Sequence, residues 1–204
     1  MSQATVAEQY AQQHGLEYYA NARTPIPSPY LGWGHSGAAY AIVGMIAGTR
    51  PGMVYLCVGS VGGGSGPPAA HFEIPGLQEA IDGLWVRRGG HGILTRPKLP
   101  KGFTELRFED RAFDSGYRVA VASPASEPAA RQLLDPEYTR WHVEHAMQDP
   151  SNCQGGSFEI SQGHLFVRGP YFGYKSLETL DDWALTSVAI ADRVAAFVAR
   201  SGGR

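Results

Sequence analysis

The sequence predicts an α+β fold, a mostly antiparallel β-sheet with helices at both ends and on one face. Three observations point there. A long apolar stripe of helical period closes the chain, a shorter amphipathic helix opens it, and the segments between them have strand composition joined by Gly- and Pro-rich links. At 204 residues, 43 % hydrophobic and 18 % charged, the chain buries enough apolar surface for one domain, 1–204, or for two lobes, 1–123 and 124–204, sharing a core.

The first helix is expected over about Thr5 to His14, where Val6, Tyr10 and Ala11 share a face, and Gly15 is placed to end it in the left-handed conformation. "LEYYA" then reads as a short strand. Three prolines and three glycines between Arg23 and Gly37 forbid a regular element there. "AYAIVGMIAG", "TRPG" and "MVYLCVG" read as strand, turn and strand, the second strand being apolar on both faces and therefore central.

"GSVGGGSGPP" at 59–68 carries five glycines and two prolines in ten positions. Gly59 and Gly64 have the glycine spacing of a phosphate-binding loop, but Ser65 stands where the lysine belongs and Pro67 and Pro68 lead into a strand-like segment. The helix whose first amides would meet a phosphate is therefore not expected. The dinucleotide pattern fails too, since Pro67 takes the place of the third glycine. A hinge or hairpin tip is the reading.

Further strands are expected at "LWVRR" (84–88), "ELRFE" (105–109) and "YRVAVAS" (117–123). Two short helices follow, about 126–134 and 136–147, the second capped by Asp135 with Pro136 at its first position. "GSFEISQGHLFVRG" alternates as a hairpin around Gln162-Gly163. From Ser176 on, Leu177, Leu180, Ala184, Val188, Ala191, Val194 and Val198 recur at helical spacing, with acids early and arginines late, as the helix dipole prefers.

A formal net charge of −2 argues against an overall electrostatic grip on nucleic acid, so no specific nucleic-acid binding is expected. Cys57 and Cys153 form neither a disulfide framework nor a metal-ligand spacing, which suits a reducing compartment. The N-terminus lacks the pattern of a secretory signal, and the longest apolar stretch is about half of the roughly 20 residues a spanning helix needs. A cytoplasmic protein is expected, with a peripheral position on the inner face of the membrane as a further option.

The combination "HGLEY", "FEDRAFDSGYRVAVAS", "ARQLLDPEYTRW", "SFEISQGHLFVRG" and a terminal helix resembles uncharacterised actinobacterial proteins in which a β-rich module is often attached to a membrane segment. The resemblance implies a β-rich module of unknown function. It assigns no site residue, and this chain departs from the pattern in lacking the membrane segment.

The sharpest enzymatic candidate is "GHSGA" at 34–38, one residue short of the Gly-x-Ser-x-Gly elbow that presents a serine nucleophile. Ser36 would need an acid and a histidine, drawn from Asp114, Asp135 and His164, yet Pro27 and Pro29 break the strand an elbow requires. His142, Glu144 and His145 crowd one predicted helix, but "HVEH" matches no zinc motif. Here His145 is expected half-buried on a stripe with Tyr138 and Trp141, and His142 solvated. Glu109-Asp110 reads as a strand end and Asp181-Asp182 as a helix start. No metal site and no cofactor are expected.

Two features suit a binding module. Arg87, Arg88, Arg96, Lys98 and Lys101 form an acid-free cationic stretch, and Tyr171, Phe172 and Tyr174 crowd the loop "RGPYFGYKS". The expected function is non-catalytic binding or assembly, the partner an acidic protein surface or anionic lipid headgroups, with homo-oligomerisation compatible with either. The alternative is a serine hydrolase using Ser36 and His164.

Overall fold

The structure is a computed structural model that describes residues 2–22, 38–58, 65–89, 97–146, 156–169 and 176–202. Ser36, Arg96, Tyr171, Phe172 and Tyr174, together with the glycine loop 59–64, lie outside these residues.

Nine strands form one antiparallel sheet among the described residues: β1 (Glu17–Ala20), β2 (Ala38–Ile46), β3 (Arg50–Val58), β4 (Ser65–Glu73), β5 (Leu84–Arg88), β6 (Thr104–Leu106), β7 (Tyr117–Val121), β8 (Phe158–Ser161) and β9 (His164–Arg168). Their spatial order is β1-β2-β3-β4-β9-β8-β5-β7-β6. The late hairpin β8–β9 therefore enters between β4 and β5, so strands from residues 1–123 and 124–204 share one sheet.

Strand alternation divides this sheet into two chemically different faces. On one face the register joins Tyr18, Ile42, Val54, Ala70, Val167, Phe158, Val86, Val119 and Leu106 in a single row across all nine strands. This row is the floor of the main core. The next row, on the opposite face, reads Glu17, Val43, Met53, His71, Phe166, Glu159, Trp85, Ala120 and Glu105. Histidine, carboxylates and a smaller apolar cluster of Ala41, Tyr55, Ala69 and Phe166 belong to this second face.

The helices pack on the apolar face. α1 (Gln3–His14) buries Val6, Ala7, Tyr10 and Ala11 and ends at Gly15, whose φ of 64° is the left-handed cap expected. α6 (Leu177–Ser201) is capped by the Ser176 hydroxyl and buries the face carrying Leu180, Ala184, Val188, Ala191 and Val194. Between them lie α2 (Leu77–Ala80), α3 (Arg111–Gly116), α4 (Glu127–Leu133) and α5 (Pro136–Trp141), the last continued by a π-helical turn over His142–Ala146. Asp135 caps α5 by accepting from the Tyr138 amide at 2.9 Å, and its other oxygen meets Arg193 of α6. No described helix is long and apolar enough to cross a membrane.

Three local expectations are corrected. The β2–β3 turn falls at Ala47, Gly48 and Thr49, with φ of 48° and 70° at the first two, while Pro51 and Gly52 of "TRPG" lie inside β3 opposite Met45 and Gly44. The strand predicted over 105–109 stops at Leu106, because Glu109 has φ 60° and Asp110 caps α3 by accepting from the amides of Ala112 and Phe113. His142 and His145 exchange their expected environments. His142 is fully buried and donates from Nε2 to the Gly156 carbonyl at 2.9 Å, whereas His145 is exposed and stacks on Trp141.

Candidate functional site

The second face carries a constellation that begins with strand alternation alone. His71 and Glu73, two apart on β4, project to the same side. In the β4–β9 register Glu73 pairs with His164 and His71 with Phe166, so the two histidines are diagonal neighbours on that side. The β8–β9 turn delivers His164 to the first position of β9. Gln162 and Gly163, with φ of 52° and 80°, make the tight turn that Gln-Gly suggests, and the Gln162 amide is tied to Asp82 at 3.0 Å.

His71 Nε2 and His164 Nδ1 are 3.0 Å apart. His71 is 6 % exposed and its ring stacks on Phe166, with centroids 4.9 Å apart and planes 15° apart. Burial, and then repulsion from the His164 imidazole, hold the His71 pKa down to about 4. At neutral pH its ring is uncharged, so one ring of the pair donates an N–H and the other accepts with a bare nitrogen. One ligand atom from each of His71, Glu73 and His164 can be chosen so that all three lie within 4.8 Å of one another.

These residues line a groove of about 870 Å³ at the end of the sheet where β4 leaves and β9 enters. Val43, Pro51 and Met53 supply apolar wall, and Glu73, Gln78, Glu79 and Gln162 supply its polar rim. On the core side of the same strands, a Cβ on Gly52 would lie 2.8 Å from the Phe72 ring and 3.0 Å from the His71 carbonyl, so the Phe72 ring lies this closely on β3 only because residue 52 is glycine. Gly76, with φ 77°, turns the chain from β4 into α2 and closes the other wall.

The residues singled out from sequence are dispersed. Arg88 is buried at 4 % exposure, and Arg87 on β5 is half-buried, its pKa lowered by burial and partly restored by the field of Glu159. Lys98 and Lys101 are exposed, so among the described members of the cationic stretch only these two stand out in solvent. Asp114 accepts from the Phe108 amide and Asp135 pairs with Arg193, which commits both proposed triad acids to structural contacts. Of the described catalytic candidates, His164 alone falls in the groove. Its neighbours His71 and Glu73 belong to no motif in the sequence. The His-x-Glu spacing on one strand is visible in the sequence, but the pairing that brings His164 beside it spans 93 residues.

Comparison of the chain with protein-family models, with curated proteins and with solved structures finds no match.

Proposed function

We propose that the protein is a binding module whose ligand seat is the groove over His71 and His164. The observation that carries this reading is the hydrogen-bonded imidazole pair, His71 buried and His164 half-buried, on the floor of an open groove with apolar walls. Concave sites of this kind, with a few convergent polar groups, are where small ligands gain both burial and orientation. Glu73 and Glu79 on the rim add negative charge, and no described lysine or arginine lines the groove. The ligand class that fits is a small neutral or cationic group rather than an anion.

The reading in which an acidic protein surface or anionic headgroups are the partner would rest, among the described residues, on Lys98 and Lys101, which do not line this groove. The serine-hydrolase alternative would need Ser36, which lies outside the described residues, beside His164.

A library of small polar and cationic fragments, followed by amide NMR on metal-free protein, tests the proposal. Shifts concentrated on Met53, His71, Gln78, Gln162 and His164 are expected. Shifts confined to other surfaces, or none across the library, would overturn it.

A further inference from the structure

We propose that His71, Glu73 and His164 form a binding site for a divalent transition-metal ion, with Zn²⁺ the best fit, whose remaining coordination position opens into the groove. This deepens the reading above by naming the cationic ligand, and it rests on that reading.

Geometry carries it. Two ligand atoms each about 2.1 Å from one ion lie roughly 3.0 to 3.4 Å apart, for octahedral and tetrahedral angles respectively. The His71 Nε2 to His164 Nδ1 separation is 3.0 Å, already inside that range, and a Glu73 oxygen completes a set spanning no more than 4.8 Å. Two imidazoles and one carboxylate are the donor set that borderline cations such as Zn²⁺ take at open sites, whereas Ca²⁺ and Mg²⁺ call for oxygen ligands. An ion would replace the single N–H shared by the two rings and use both nitrogen lone pairs at once.

The scaffold is already arranged. His71 is held by stacking on the Phe166 ring, and His164 by the Gln162-Gly163 turn. Both strands are interior to the sheet, so the three donors sit on rigid backbone. Glu73 is exposed and His164 half-buried, which leaves an entry path from the groove.

The site contrasts with the helical histidines. His142 is enclosed by Phe113, Tyr117, Tyr138 and Phe158, and its Nε2 is taken by the Gly156 carbonyl. His145 is exposed, with its Nδ1 on the Trp141 carbonyl. Neither faces a second donor in the way His71 does.

The test is isothermal titration of ZnCl2 into chelator-treated full-length protein, with Co²⁺ absorption as a second readout. One site per chain is expected, together with visible Co²⁺ bands that disappear when Zn²⁺ is added. His164→Ala should weaken Zn²⁺ binding at least ~100-fold and Glu73→Gln by ~10-fold or more. Both positions are at least partly exposed, and circular dichroism verifies that each variant is folded. His71 is left intact because its burial makes unfolding a rival explanation. Zn²⁺ binding that is unchanged in folded His164→Ala, or no binding to the wild type, overturns the proposal and leaves a structural histidine pair. The fragment screen on metal-free protein separates the two readings. Fragments in the groove without Zn²⁺ binding sink only the metal site, whereas loss of both sinks the groove as well.

Discussion

His71 Nε2 meets His164 Nδ1 at 3.0 Å, and this contact ties the end of β4 to the start of β9 across 93 residues of chain. One nitrogen of a ring that is 6 % exposed depends on that partner. His164→Ala should therefore cost about 1–2 kcal/mol, the penalty of a part-buried polar group deprived of its hydrogen bond. His164→Asn should recover part of it. Urea denaturation of metal-free protein measures both.

Gly52→Ala should be more damaging than its single methyl suggests. The added Cβ would lie 2.8 Å from the Phe72 ring and 3.0 Å from the His71 carbonyl, and one of those neighbours is main chain that cannot swing aside. A loss of about 1–3 kcal/mol is expected from overpacking, accompanied by shifts in the His71 and Phe72 amides. Thermal melts and NMR of the variant check the two together.

Asp135 serves two elements, so two substitutions separate its roles. One oxygen caps α5 through the Tyr138 amide and the other pairs with Arg193, whose guanidinium lies 5.4 Å above the Tyr138 ring. Asp135→Ala removes cap and charge and should cost about 1–2 kcal/mol. Asp135→Asn keeps the cap and should cost under about 1 kcal/mol, since the ion pair is partly exposed. Equal losses in the two variants would show that the ion pair, not the cap, dominates.

His142 predicts an acid limb in stability. Burial lowers its pKa to about 4, with the Gly156 hydrogen bond acting in the opposite direction. The ionisable groups among the rings packed on it, Tyr117 and Tyr138, are themselves raised by burial and stay neutral through acid pH. The unfolded chain binds the proton near pH 6.5 and the folded chain only near 4, so stability is fully present above about 6.5 and falls as pH drops through that window. The His142 share amounts to about 3 kcal/mol, and His71 adds to the same slope. His142→Gln, which keeps a donor for the Gly156 carbonyl, should flatten the fall. A wild-type stability independent of pH between 7 and about 4.5 would contradict this.

Much of the architecture is written locally. The Gln162-Gly163 turn, the Asp135 cap and the long stripe of α6 each follow from adjacent residues, and each forms where the sequence places it. The misplaced elements arise where a local rule has two solutions. Pro51-Gly52 reads as a turn, yet Ala47 and Gly48 take the positive φ angles and leave Pro51 in β3. Glu109-Asp110 reads as a strand end, yet the Asp110 carboxylate finds the amides of Ala112 and Phe113 and starts α3. For the His142 and His145 pair, helical period puts one ring inward, but which one depends on what the sheet presents. Phe158 of β8 and Tyr117 of β7 receive His142. The groove is legible least of all. His71 and Glu73 share one side of β4 by alternation, and only the insertion of β8–β9 between β4 and β5 sets His164 beside them.

The most direct test of the groove as the binding seat is crystallography of the protein soaked with the fragment library and, separately, with ZnCl2 under anomalous diffraction. The account predicts fragment density above Met53, within hydrogen-bonding reach of the His71–His164 pair, and an anomalous peak between His71, Glu73 and His164. Density confined to a different cleft, such as that of about 710 Å³ beside Pro128, Asp135 and Arg193, would contradict it.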